Sequence, residues 1–203
     1  MDMTSFRRAQ LAIKRSIDLL VGGVLLALLL PNMALIGLLV RATSPGGAIF
    51  RQRRIGRSGR PFTILKFRTM VSGAKISPLG TSCYRDDPRI TPVGRFLRRT
   101  GLDELPQLIN VVRGDMSLVG PRPDLPHHVE RYSPRQRLRL KMRPGMTGWA
   151  QVNGRNDITW GERIELDLDY VARWSIFMDA AIAVKTIGVI ALRKGAELPR
   201  PLP

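Results

Sequence analysis

The chain has 203 residues, enough for one compact domain plus a membrane segment but not for two independent cores. Its 33 Lys and Arg against 16 Asp and Glu give a formal net charge of +17, which selects for acidic partners such as nucleic acid, anionic headgroups or phosphorylated substrates. A single cysteine, Cys83, excludes an internal disulfide, and no Cys and His pair has zinc-ligand spacing.

Leu19 to Val40 is a run of 22 residues without a charge, long enough to enter a bilayer. Arg7, Arg8, Lys14 and Arg15 precede it, and Arg41, Arg51, Arg53 and Arg54 follow it. The run exceeds a signal-peptide core and lacks a small-residue cleavage site. Pro31 is expected to break it into helical pieces of about 12 and 9 residues, roughly 18 and 14 Å long, neither sufficient for a ~30 Å hydrocarbon core. Basic residues on both flanks place both on the cytoplasmic side. A re-entrant helix turning back at Pro31 satisfies both clues; a straight transmembrane helix that tolerates its proline is the alternative.

Beyond the run, Ala48 to Ile55 and Phe62 to Met70 read as strands around the turn Arg57-Ser58-Gly59-Arg60-Pro61. Thr91-Pro92 opens a basic helix with Arg95, Arg98 and Arg99 that stops at Gly101. From Asp103 to Val112, Leu105, Leu108, Ile109 and Val112 recur at helical spacing, with Asp103, Gln107 and Asn110 as a polar stripe. Pro106 fits the first turn of that helix. A Gly- and Pro-rich loop from Gly114 to Pro126 leads to a basic helix opened by Ser133-Pro134 and ended by Arg143-Pro144-Gly145. Thr159 and Glu162 form a capping box for a helix to about Arg173. The last helix, Ile176 to Arg193, is apolar but carries Asp179 and Lys185, which suits a membrane interface.

The adjacent acids Asp103 and Glu104 allow two readings: carboxylates complementing a helix dipole, worth about 0.3 to 1 kcal/mol, or a nucleophile and its partner that also hold a divalent cation. Lys66, Arg68, Arg98, Arg122 and Arg155 come from five separate segments, and guanidinium groups suit bidentate recognition of phosphate. Arg122 lies between Pro121 and Pro123, which restrict its backbone. Arg57, Arg60, Arg135 and Arg139 are assigned to the solvated surface.

Four segments, Lys66-Phe67-Arg68-Thr69-Met70, Leu102-Asp103-Glu104-Leu105-Pro106-Gln107, Asn110 to Pro123 and Arg143 to Arg155, together resemble the bacterial sugar transferase family, the monotopic phosphoglycosyl transferases. The likeness runs from about Lys14 to Gly195 and is closest to the minimal catalytic form without further transmembrane helices. With the residue reading above it gives an α+β, mainly helical fold: a re-entrant membrane helix in residues 1–43, a compact catalytic domain with interfacial amphipathic helices in residues 44–195, and a disordered tail, 196–203. It implies that Asp103 attacks the β-phosphorus of a UDP-sugar, releases UMP and carries a phosphosugar ester that polyprenyl phosphate, undecaprenyl phosphate in the family, then accepts. Glu104 matches the partner acid, and Asp103 and Glu104 the ligands of Mg²⁺. Arg98, Arg122 and Arg155 match positions around the substrate phosphates, and Asp167 and Asp179 further polar positions near the site. One departure is Leu30-Pro31, where the family often has Ser-Pro. The pathways implied are exopolysaccharide, O-antigen, capsule or glycoprotein glycan synthesis at the cytoplasmic membrane, with anionic lipids as partners and a homodimer left open. No nucleic-acid partner is expected. The rival is a membrane-tethered basic nucleic-acid-binding protein, but no recognised module supports it.

Overall fold

The computed structural model describes residues 3–74, 87–154 and 157–191, with side chains from residue 7 to residue 189. Helix α1, Met3–Thr43, is followed by an antiparallel hairpin of β1, Ile49–Ile55, and β2, Pro61–Phe67, joined by a 3-10 turn at Arg57–Gly59. Then come α2, Pro92–Thr100; a 3-10 turn, Leu102–Glu104; α3, Gln107–Arg113; β3, Ser117–Val119; and α4, Pro126–Glu130. A 3-10 helix at Gln136–Lys141 precedes β4, Gly145–Thr147, α5, Trp149–Val152, α6, Trp160–Arg173, and α7, Ile176–Ala191. The chain is mainly helical, and its strands form two small two-stranded sheets.

The expected split of α1 at Pro31 is not found: one helix runs through it, about 60 Å long at 1.5 Å per residue. Its inner stripe explains this continuity. Lys14, Asp18, Gly22, Met33 and Val40 are buried, with Leu26 and Ile36 packed on the domain between them, so spacings of three and four hold one face against protein along the helix. At Gly22 a side chain would meet Val111 Cγ1 at 3.0 Å, so α3 crosses α1 closely there. The outer face is left bare: Leu20, Leu28, Leu35 and Leu38 are mostly exposed. Arg7 at one end donates to Val171 O at 3.0 Å, while Val40 near the other packs with Phe67 and Leu97. Both ends of the apolar helix thus rest on the same domain.

The remaining expectations mostly hold. Thr91 caps α2 by accepting from Gly94 N, and the helix closes on Gly101 in the left-handed region at φ 73°. The Thr159–Glu162 capping box is formed, and α6 ends at Arg173. The basic segment after Ser133-Pro134 is a 3-10 helix and not an α-helix. The acidic helix is also divided. Asp103 and Glu104 sit in their own 3-10 turn, and α3 starts at Gln107 with Pro106 as its cap, because Pro106 supplies no N–H to continue a ladder into the preceding turn.

Candidate functional site

Asp103 and Glu104 are set between β2 and the loop after β3. Asn110, fully buried on α3, makes that placement definite: its Oδ1 accepts from Leu65 N at 3.0 Å and its Nδ2 donates to Thr63 O at 2.8 Å. With α3 pinned to β2, Lys66 in the same strand donates to Glu104 Oε1 at 2.6 Å. Arg122 donates to the same oxygen at 2.9 Å from the opposite side. Two cations from distant segments therefore converge on one carboxylate.

The Arg122 loop is held through four successive carbonyls. Pro121 O accepts from Gly145 N at 3.0 Å, Arg122 O from Arg139 at 2.8 Å, Pro123 O from Arg54 at 3.2 Å and Asp124 O from Ile55 N at 3.0 Å. Gly120 and Gly145 permit this crossing, since a Cβ on Gly145 would lie 2.1 Å from Gly120 N. A loop fixed in this way presents its arginine with little ordering left to do on binding.

The electrostatics separate the two acids. Burial foremost, and the Glu104 charge beside it, push the Asp103 carboxyl above its ordinary range, although Lys66, Arg98 and Arg122 pull the other way. Burial also opposes ionisation of Glu104, but Arg122 and Lys66 overcome it and hold that carboxyl well below the usual range. Glu104 is thus a firmly held anion, while Asp103 is the less committed of the two. Arg98 lies within reach of their field and is oriented by a 2.8 Å bond from Nε to Thr69 Oγ1.

Other expected site residues are placed elsewhere. Arg68 donates to the carbonyls of Ser44, Pro45 and Gly46, closing the connection from α1 to β1. Asp179 accepts from Lys14 at 2.6 Å, Tyr170 at 2.7 Å and Trp174 at 3.1 Å, among the residues that dock α1 and α7. Asp167 lies behind the site, paired with Arg139, and burial raises its pKa to about 6 despite that partner. Arg155 falls outside the described residues.

Two arginines were missed. Arg139, assigned from sequence to the solvated surface, is 4% exposed; besides Arg122 O it reaches Tyr132 and Asp167. The eclipsed side chains of a 3-10 turn, and not charge density, decide which of these basic residues faces inward. Arg54 lies beside Arg122 and Glu104; burial, then the neighbouring Arg122, lower its pKa to about 10. Gln52 Oε1 orients it through bonds of 3.1 and 2.7 Å. Strand alternation supplies the signal, because Gln52 and Arg54 share the inner face of β1 while Arg51 and Arg53 face out.

Among the described residues no group of three His, Cys, Asp or Glu side chains is gathered to hold a metal. Asp103 and Glu104 nonetheless offer two hard oxygen donors, a set that fits Mg²⁺, which binds through one or two carboxylates plus substrate phosphates. An oxygen-donor pair among four cations can bind a polyphosphate, neutralise it and expose phosphorus to a carboxylate.

The family model described as bacterial sugar transferase matches residues 9–193. The chain is 41% identical over 197 residues to the exopolysaccharide production protein ExoY of Rhizobium meliloti (strain 1021), covering 90% of this chain and 87% of that protein. It is 45% identical over 199 residues to the UDP-galactose-lipid carrier transferase of Erwinia amylovora, covering 91% of this chain and 41% of the relative. With the UDP-glucose:undecaprenyl-phosphate glucose-1-phosphate transferase of Escherichia coli (strain K12) it shares 44% identity over 187 residues, 86% of this chain and 39% of the relative. The chain thus spans most of ExoY but about two fifths of the Erwinia and Escherichia proteins. With a match over nearly its whole length, the chain belongs to the bacterial sugar transferase family.

Proposed function

We propose that the protein transfers a sugar 1-phosphate from a UDP-sugar to polyprenyl phosphate, undecaprenyl phosphate being the carrier that the name of the Escherichia relative supplies, through a covalent intermediate on Asp103. The observation that carries this reading is the pairing of an elevated carboxyl, Asp103, with an anchored one, Glu104, among Lys66, Arg98, Arg122 and Arg54. Asp103 in its ionised form attacks the β-phosphorus. The bond from that phosphorus to the bridging oxygen breaks, and UMP departs with the electron pair. A phosphate oxygen of the carrier then attacks the same phosphorus, the aspartyl ester bond breaks, and the Asp103 carboxylate is restored.

Arg122 and Arg98 neutralise the phosphoryl oxygens as charge builds, and Arg54, held by Gln52, adds a fourth cation. We include Arg155 in the substrate set on the family resemblance, and give Arg68 and Asp179 supporting roles. Asp103 and Glu104 would hold Mg²⁺, which when bound supplies further charge neutralisation on the diphosphate.

Attachment to the membrane follows the same reading. The outer face of α1 and exposed Phe177, Val184 and Ile187 of α7 are apolar. Because α1 is unbroken and both its ends rest on one domain, we place it lying in the cytoplasmic leaflet of the inner membrane, its outer face toward lipid and anionic headgroups facing the basic flanks. The test uses the full chain in detergent with Mg²⁺ and a panel of UDP-sugars, without carrier lipid. Intact-protein mass spectrometry is expected to show one phosphosugar per chain and about one UMP released per site. An unmodified chain that releases UMP only after polyprenyl phosphate is added overturns the covalent step.

A further inference from the structure

Helix α1 does more with its polar residues than an anchor requires. Apolar side chains such as Leu26, Met33 and Val40 already dock its later turns on the domain. Near its start, however, Lys14 and Asp18 are 7% and 3% exposed, an expensive placement for charged groups unless they are paired. Their partners, with those of Arg15, lie on the two segments that carry the site, apart from Asp179 of α7, and are backbone groups except for Ser117 Oγ and the Asp179 carboxylate. Arg15 donates to Val111 O at 2.7 Å and to Val112 O at 3.0 Å, in the last turn of α3, whose other end is joined to Asp103 and Glu104 through Leu105 and Pro106. Asp18 Oδ1 accepts from Ser117 Oγ and from Leu118 N, both at 3.0 Å, at the start of β3. Lys14 donates to Val119 O at 2.9 Å, at the end of β3, and to Asp179 at 2.6 Å. Gly120 and Pro121 alone separate Val119 from Arg122.

These contacts form a closed circuit. One arm runs from Arg15 through α3 to Glu104, the other from Lys14 and Asp18 through β3 to Arg122. The arms meet at the 2.9 Å bond between Arg122 and Glu104. We propose that Lys14, Arg15 and Asp18 of the membrane helix are positioning residues for the transfer reaction, setting the separation between the acidic pair and Arg122. The proposal rests on the sugar-phosphate transfer reading for its kinetic readout only.

The test compares Asp18→Ala, which removes the Oδ1 acceptor of both bonds, and the milder Ser117→Ala, in the full-length protein reconstituted in vesicles. Both are expected to remain in the membrane fraction, since the apolar face of α1 is unaltered. UMP release from the UDP-sugar should fall about tenfold or more in kcat, as a sub-ångström misplacement of catalytic groups can produce. In an Arg122→Ala background, Asp18→Ala should have little further effect, because its contribution passes through Arg122; a purely structural role would multiply the two losses. Amide exchange needs no substrate and should rise in residues 117–122 of both variants without a general increase. Multiplicative losses, or unchanged exchange in residues 117–122, overturn the proposal. Failure of the wild type to release UMP from any UDP-sugar would instead overturn the transfer reading, with exchange still deciding this one.

Discussion

Lys66 Nζ lies 2.6 Å from Glu104 Oε1, joining the inner face of β2 to the acidic 3-10 turn, and the same oxygen takes Arg122 at 2.9 Å. This pairing is what divides the two adjacent acids: Glu104 is neutralised by two direct bonds, whereas at Asp103 burial and the Glu104 charge outweigh the pull of Lys66, Arg98 and Arg122. A nucleophile bonded directly to a cationic side chain would have to break that bond before attack. On the proposed reading, Glu104 anchors the site and Asp103 is the attacking carboxylate.

The divided acids predict opposite signs in stability against pH. Glu104 is depressed, so between its folded range and the ordinary ~4.3 of an unfolded Glu the unfolded chain binds more protons, and stability rises with pH. The stabilisation is complete above the unfolded value and is lost as pH falls through the folded one. Asp103 is raised, so stability falls as pH rises above the ordinary ~3.9 through its folded value. Thermal unfolding of Glu104→Gln in detergent should therefore show a shallower loss on the acid side than wild type. An identical acid limb would contradict this account of Glu104.

Arg122→Ala should lower UMP release by roughly 100-fold, the scale seen when one charge-stabilising donor is removed from an active site. Stability should change by no more than about 1 kcal/mol, since the Arg122 side chain is 40% exposed and its ion pair is correspondingly screened. The loop should keep its shape because Arg139, Arg54 and two backbone amides hold its carbonyls. Steady-state kinetics beside a melting curve test this, and an inactive variant that is also unfolded would count against it.

Asn110→Ala should act in the opposite manner, by destabilising the fold. It strands the buried Leu65 N, removes the partner of Thr63 O and loosens α3 from β2, an effect of about 2 kcal/mol. A drop in melting temperature with a largely retained KM for the UDP-sugar is the expected pattern. Undiminished stability would mean that other contacts fix α3.

The grouping of Lys66, Arg98 and Arg122 around the acidic pair was legible because these residues stand in motifs whose chemistry differs from their surroundings, whereas Arg54 was not. The helical periodicity of Leu105, Leu108 and Ile109 was also correct, although Pro106 moved the helix start beyond the acids. What one-dimensional reading blurred was the sorting of arginines. Arg54, Arg68 and Arg139 have the same side chain and similar basic neighbours, yet the first borders the site, the second closes a loop and the third holds a carbonyl in the core. Which one faces inward depends on strand alternation, a 3-10 turn and pairings between residues far apart in sequence. Asp179 is the same case: its partner Lys14 is brought to it only when α1 lies along the domain.

The last prediction concerns how α1 meets the membrane. A spanning helix would separate its two flanks by the ~30 Å hydrocarbon core, so Arg7 and Arg54 would lie on opposite sides. In the folded chain Arg7 bonds to Val171 O, Arg54 bonds to Pro123 O, and the stripe from Lys14 to Val40 packs on the same domain. Spanning would strip that stripe of its partners and carry buried Lys14 and Asp18 away from Val119, Ser117 and Leu118, leaving charges unpaired. Single cysteines at positions 7 and 54, introduced with Cys83→Ser, should therefore both resist a membrane-impermeant maleimide added to intact cells and both react once the membrane is opened. Labelling of position 7 from outside, with position 54 protected, would mean that α1 leaves the domain and crosses the bilayer.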